Sequence, residues 1–275
     1  MKIFNKKNLI QLSIIAVASF VTLLSSCKKE EAAPTGTGTI SVEFDNVANG
    51  NTLKLNTDYT NANGDVMNFA MFNYYVSNFS LVKSDGTIYT VPKDSCYFLI
   101  KEDGGTGNPE IELNNIPAGD YKEIRFMIGV DSAKSVSPAA ERTGVLDPAG
   151  DGAGMYWAWN SGYIFVKAEG TSPQAPLDPA SNTNKFRYHI GLFGGLTSKT
   201  VNNLKSVELH DHDGEVATVR TNISPNFHVK VDIMEMFKTP NTISVAANPT
   251  VMVTPFSENV ANNYKDMFSL DHIHN

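Results

Sequence analysis

The chain has 275 residues, 41% of them apolar, with 22 Lys and Arg against 29 Asp and Glu, a net charge of −7. An acidic chain with no basic run argues against a nucleic-acid partner and carries only a general bias toward cations. The length allows one large β domain or two small ones.

In chain order, residues 1–26 stand apart from any fold. Lys2, Lys6 and Lys7 make a positive start, and Leu9 to Leu24 is an apolar stretch too short to span a bilayer. Leu24-Ser25-Ser26-Cys27 resembles a bacterial lipobox, which implies cleavage before Cys27 and lipid on its thiol. Losing a leader with three lysines takes the net charge from −7 to −10. Lys28-Lys29-Glu30-Glu31 resembles the surface-export signal of Bacteroidetes lipoproteins and reads equally well as part of a solvated tether over residues 27–38. With Cys27 acylated, Cys96 is the one free thiol and no intrachain disulfide is possible. Its setting, Ser95-Cys96-Tyr97-Phe98-Leu99-Ile100, reads as a core strand.

Residues 39–275 read as a single domain, since no second Pro/Gly-rich linker or internal repeat divides them. Thr39 to Phe44 alternates, with Ile40, Val42 and Phe44 on one face. Asn56 to Asp65 is a turn-rich loop ending in Asn63-Gly64. Phe72 to Val82 is a long strand, Ser84-Asp85-Gly86 a turn, and Ile88 to Val91 the returning strand. Further strands are expected at Cys96–Lys101, Glu110–Leu113, Glu123–Val130, Phe186–Leu192, Ser206–Leu209, Phe227–Ile233 and Thr242–Val245. Asp232–Phe237 and Asn259–Phe268 are expected to form short helical turns. The expected fold is an all-β, antiparallel, Greek-key-like β-sandwich with long loops and little helix.

The loop between Asp131 and Gly154 leads into Met155–Gly170, which holds both tryptophans, Trp157 and Trp159. Two residues apart, they share a face if the segment is a strand. Asn160-Ser161-Gly162 reads as a bulge or bend before the strand Tyr163–Lys167. Large aromatics ordinarily fill a core, and they also suit an aromatic platform for a peptide, glycan or protein. A second loop, Gly170–Lys185, brackets the segment on its other side.

Six histidines are the remaining chemistry: His189, His210, His212, His228, His272 and His274. The pairs His210-Asp211-His212 and His272-Ile273-His274 have the spacing that turns two imidazoles to one side of a strand, where both reach one ion such as copper or zinc. The first pair also reads as a polar turn, the second as a frayed tail, although Met267, Phe268 and Leu270 argue that the tail docks. His189, alone on its strand, reads as a core histidine or a ligand. His228 alternates with Lys230 and is expected to face solvent. No hydrolase triad, zinc-protease, phosphate-loop or haem motif occurs in the sequence.

Met155-Tyr156-Trp157-Ala158-Trp159-Asn160-Ser161-Gly162-Tyr163 resembles the M-[FY]-W-x-W-x-x-G-Y signature of the MbnP family. Gly129-Val130-Asp131, Leu146-Asp147-Pro148, Phe186-x-x-His189-Ile190-Gly191, Met267 to His272, and Phe72 to Asn78 resemble its Bacteroidetes branch. The resemblance implies a β-rich, secreted or lipid-anchored copper-binding protein. In that family one copper is held by histidines and by a tryptophan oxidised to kynurenine. A dihaem peroxidase-type partner resembling MbnH carries out the oxidation. By that resemblance Trp157, Trp159 and His189 are the matching site residues. Methanotroph members carry an Asn-His in the preceding loop where this chain has Ser135-Val136-Ser137-Pro138, and His272 and His274 are the candidates to take over that ligand's role. The protein is then expected to be an outer-membrane lipoprotein that binds copper and is not itself an enzyme. The rival readings are a β-sandwich that binds a partner through its aromatic platform and a metalloenzyme with an open coordination position.

Overall fold

A computed structural model describes residues 33–102, 104, 107–157 and 160–275. The expectations for the signal peptide, the lipidated Cys27, the export signal and Trp159 lie outside the described residues. In chain order the strands are β1 (Thr37–Ala48), β2 (Asn51–Thr52), β3 (Asp58–Thr60), β4 (Val66–Lys83), β5 (Ile88–Thr90), β6 (Tyr97–Lys101), β7 (Glu110–Pro117), β8 (Gly119–Ile128), β9 (Ile164–Thr171), β10 (Lys185–Gly191), β11 (Lys205–His210), β12 (Ala217–Val219), β13 (Asn226–Asp232), β14 (Thr250–Val251) and β15 (Phe268–His274). They make two sheets. The first runs β15-β13-β1-β2, with β7 also on β1; the second runs β11-β8-β4-β9-β10-β14, with β12 on β8 and β3, β5 and β6 on β4.

Period-two alternation sets what each strand buries. β1 turns Ile40, Val42 and Phe44 inward, and β13 does the same with Phe227, Val229 and Val231. From the second sheet, Phe72 and Tyr74 of β4, Phe126 of β8, and Phe186 and Tyr188 of β10 join the same core. Edge-to-face rings bridge the layers, Phe44 to Tyr74 at 6.1 Å and Tyr74 to Phe268 at 5.7 Å. This is the expected all-β sandwich.

The structure departs from the reading in three places. β1 pairs with β13 in parallel, as β10 does with β14, so the sandwich is not purely antiparallel. Alternation along one strand is blind to its neighbour's direction. Thr242–Val245 buries Ile243 and Val245 but joins no ladder; the nearby strand is the two-residue β14. Cys96 is buried as expected, but it follows a 3₁₀ turn, Lys93–Ser95, and β6 starts one residue later. The expected helical turns occur as a 3₁₀ stretch, Ile233–Phe237, and a helix, Ser257–Tyr264.

The long loop is neither open nor loose. It folds across the outer face of the second sheet over a smaller core that includes Tyr75, Leu146, Met155, Tyr163 and Phe165. The Tyr75 hydroxyl donates to the Val145 carbonyl (2.6 Å) and the Tyr163 hydroxyl to that of Leu146 (2.7 Å). Lys101 and Lys167 donate to the carbonyls of Asp151 and Gly154. The residues Thr35–Asn275 fold as one compact unit.

Candidate metal centres

The outer face of the second sheet carries the tryptophan. Met155–Trp157 is no strand: Tyr156 makes an isolated bridge to Tyr163, and the backbone N–H of Trp157 donates to the Gly162 carbonyl at 2.9 Å. The bend expected at residues 160–162 is therefore a tight reversal. Gly162 sits there with φ +69°, a left-handed backbone that favours glycine. The reversal lays the Trp157 indole on β10 at Gly191, where a Cβ would lie 2.6 Å from Cζ3 of the ring. Only a glycine admits that approach.

Gly191 is two residues from His189, and both belong to the set of β10 residues whose neighbours Phe186, Tyr188 and Ile190 point into the core. His189 is largely buried, and its Nε2 lies 2.7 Å from Oε1 of Glu169 on β9. Lys167, opposite His189 in the ladder, lies 3.5 Å from the same carboxylate. Burial pushes the His189 imidazole below its ordinary pKa, against the pull of Glu169. Burial alone would raise Glu169, but the hydrogen bond to His189 and the charge of Lys167 together hold it below the usual carboxylate value.

The outer face of the first sheet carries three imidazoles. His228 of β13 and His272 and His274 of β15 each offer a ligand atom within 4.8 Å of the others. His228 stacks on His272 with ring centroids 4.2 Å apart, and Nε2 of His272 lies 2.9 Å from Nε2 of His274. Strict alternation would put Phe268, Leu270, His272 and His274 on one face. The ladder to β13 shifts after His228, leaving Asp271 as an extra residue. This bulge reverses the phase, so Phe268 and Ile273 enter the core while His272 and His274 face outward.

Carboxylates surround the trio. Asp271 lies 2.9 Å from Nδ1 of His272, and Glu43 lies 3.6 Å from Nδ1 of His228. Asp271 also pairs with Lys230, and that hydrogen bond, with a second from His272, holds its pKa down. Asp45, beside Lys230 on β1, is raised, first by burial and then by Glu43 and Asp271 against the lowering effect of Lys230.

These two sites are not one. His189 and the terminal histidines lie on strands whose opposite faces pack into the same core, so they sit on the two outer faces of the sandwich. His272 and His274 therefore do not replace the missing loop histidine beside His189. The sandwich that the sequence predicts itself separates them. His210 and His212 lie at the end of β11 and in the turn after it, with rings 5.5 Å apart, and are exposed. They join no third ligand among the described residues. Asp211 instead accepts from the Glu215 N–H at 2.8 Å, as a polar turn does. His228 is the member that sequence reasoning missed. Its outward direction was legible from alternation with Lys230, but its opposition to His272 is a matter of strand register across the chain.

The MbnP family profile matches residues 37–253, well over half of the chain. Among solved structures, MbnP from Methylosinus trichosporium is similar at 18% identity, with a TM-score of 0.56 over 85% of this chain and 98% of that one. That likeness speaks to the fold. A comparison with curated proteins gives no match. The profile match over residues 37–253, with the M-[FY]-W-x-W-x-x-G-Y signature inside it, shows that the chain belongs to the MbnP family.

Proposed function

We propose that this is a lipid-anchored, copper-binding protein of the cell envelope, a binder rather than an enzyme, whose copper sits on the outer face of the second sheet. The observation that carries the reading is the Trp157 indole seated on Gly191, on the same strand face as the partly buried His189. Unmodified, the face offers one imidazole, one carboxylate and an indole whose N–H only donates. Oxidation changes the donor set. The indole C2–C3 bond breaks, each carbon gains an oxygen, and hydrolysis releases C2 as formate. A ketone and a primary aryl amine remain. Peroxide is the oxidant: it is reduced to water at a dihaem peroxidase-type partner resembling MbnH, which draws the electrons from the indole.

An aryl amine, a ketone and an imidazole suit copper better than calcium or magnesium. His189 is prepared for ligation in two ways. Burial favours its neutral form, and Glu169 on Nε2 fixes the ring and leaves Nδ1 as the lone-pair nitrogen. Cys27 is the proposed attachment point for the lipid anchor.

Intact mass spectrometry of the mature protein from its native host is the test. The expected product is acylated at Cys27, has one tryptophan carbon replaced by one oxygen, and loses its chelator-resistant copper on His189→Ala. Intact tryptophans, with copper unaffected by that substitution, would overturn the reading.

A further inference from the structure

We propose that His228, His272 and His274 form a second metal site, independent of the tryptophan face, that takes a late first-row divalent ion and favours Cu(II) over Zn(II). His272 and His274 of the trio fall beyond the residues matched to the family profile, 37–253, while His228 lies within them.

Four observations carry it. The ligand atoms lie within 4.8 Å of one another, while imidazoles about 2.0–2.1 Å from one ion stand roughly 2.9 Å apart when cis in the tetragonal field of Cu(II) and roughly 3.3–3.4 Å apart in a tetrahedral one. The 2.9 Å between the Nε2 atoms of His272 and His274 already matches the tetragonal cis spacing, and binding would need His228 to close on that pair. Two of the three rings have Nδ1 facing a carboxylate, Asp271 and Glu43, which leaves Nε2 as the lone pair. A carboxylate behind a ligating histidine orients it and raises its basicity. A further donor stands by: Asn226 lies opposite His274 in the ladder and two residues from His228, and its Oδ1 is buried without a partner among the described residues. Finally, the Asp271 bulge is what turns both terminal imidazoles outward, and bulges recur where a side chain is re-aimed at a site. An all-imidazole set suits copper and zinc, and affinity for such sites rises to Cu(II).

The trio gains nothing from tryptophan oxidation, and that makes it separable. Full-length chain produced without the dihaem partner retains intact indoles, so metal bound by it reports the imidazoles alone. Titration with Cu(II), followed by calorimetry and by the nitrogen hyperfine pattern in electron paramagnetic resonance, should show one site with several equatorial nitrogens. Zn(II) should occupy the same site more weakly. His228→Gln and His274→Gln, which remove ligands outright, should each weaken Cu(II) binding by at least roughly 100-fold, the upper end for losing only a partner behind a ligand. Asp271→Asn should weaken it about tenfold, and His189→Ala should change it less than about twofold. His274 is exposed at the end of the last strand, so its variant keeps the fold even if His228→Gln does not. Unchanged Cu(II) affinity in His274→Gln, or its loss in His189→Ala, would overturn the second site. The first result leaves the copper reading of the tryptophan face standing.

Discussion

The two outer faces of the sandwich solve one problem in different ways. On the second sheet a close backbone approach makes the site: Gly191 has no side chain, and the indole of a residue 34 positions earlier fills the space. On the first sheet pairing makes it: β13 and β15 lie edge to edge, and one bulge sets which side chains look outward. The first arrangement is written in a local motif. The second exists only once two distant strands are in register. The first face is roofed by its own loop and small core; the second is open, with His274 exposed.

That contrast can be broken from either side. The largest effect is expected for Ile273→Ala, which removes a buried side chain between the two outward imidazoles of β15. Loss of a core isoleucine costs about 2–5 kcal/mol. Thermal unfolding should show it, while the His189 resonances stay in place. Gly191→Ala attacks the other face. The added methyl collides with the Trp157 ring and the Tyr163 carbonyl, an overpacking worth about 1–3 kcal/mol. Indole fluorescence should shift, with no change at His272 or His274. Because the two residues lie in different sheets, the double variant should show the sum within about 0.5 kcal/mol. A larger coupling would join what the geometry separates.

Smaller effects sharpen the comparison. Glu169 holds the His189 pKa up against burial, so Glu169→Gln should lower the imidazole titration midpoint seen by NMR. In the native protein both groups sit below their ordinary values of 6.5 and 4.5, so on acidification the unfolded chain takes up protons first. Their contribution to stability should therefore be present above those values. It should fall as pH drops, first below 6.5 through His189 and then below 4.5 through Glu169, and denaturant midpoints across that range measure it. The smallest effect concerns Asp178, hydrogen-bonded to Arg187 at 2.9 Å in the loop after β9. That bond, aided by the Ala180 N–H, lowers its carboxyl from 3.8 to about 2. Carboxyl NMR should find that midpoint, and Arg187→Gln should return it toward 3.8.

Much of this molecule was legible in the chain because its strands alternate cleanly. Ile40, Val42 and Phe44 declared their face, and the signature around Trp157 declared its family. What stayed hidden depends on partners. Nothing in Phe227-His228-Val229 says that β15 will lie beside it. Nothing in Ser269-Leu270-Asp271-His272 says that one residue will be squeezed out of the ladder and the phase reversed. The strand expected at Thr242–Val245 failed for a related reason: apolar alternation reports burial, and burial does not require a ladder.

The Asp271 bulge has one more consequence, for solubility. β15 is the last strand of its sheet, with no ladder on its far side among the described residues, and such a rim invites another chain to add a strand. The kink and the charged side chain at its centre make that rim a poor template. Deleting Asp271 would straighten it in the same register, with His272 still opposite His228 and Ile273 still in the core, but without the kink or the charge. The deletion product should therefore aggregate more readily than the point substitution Asp271→Asn, which keeps the bulge.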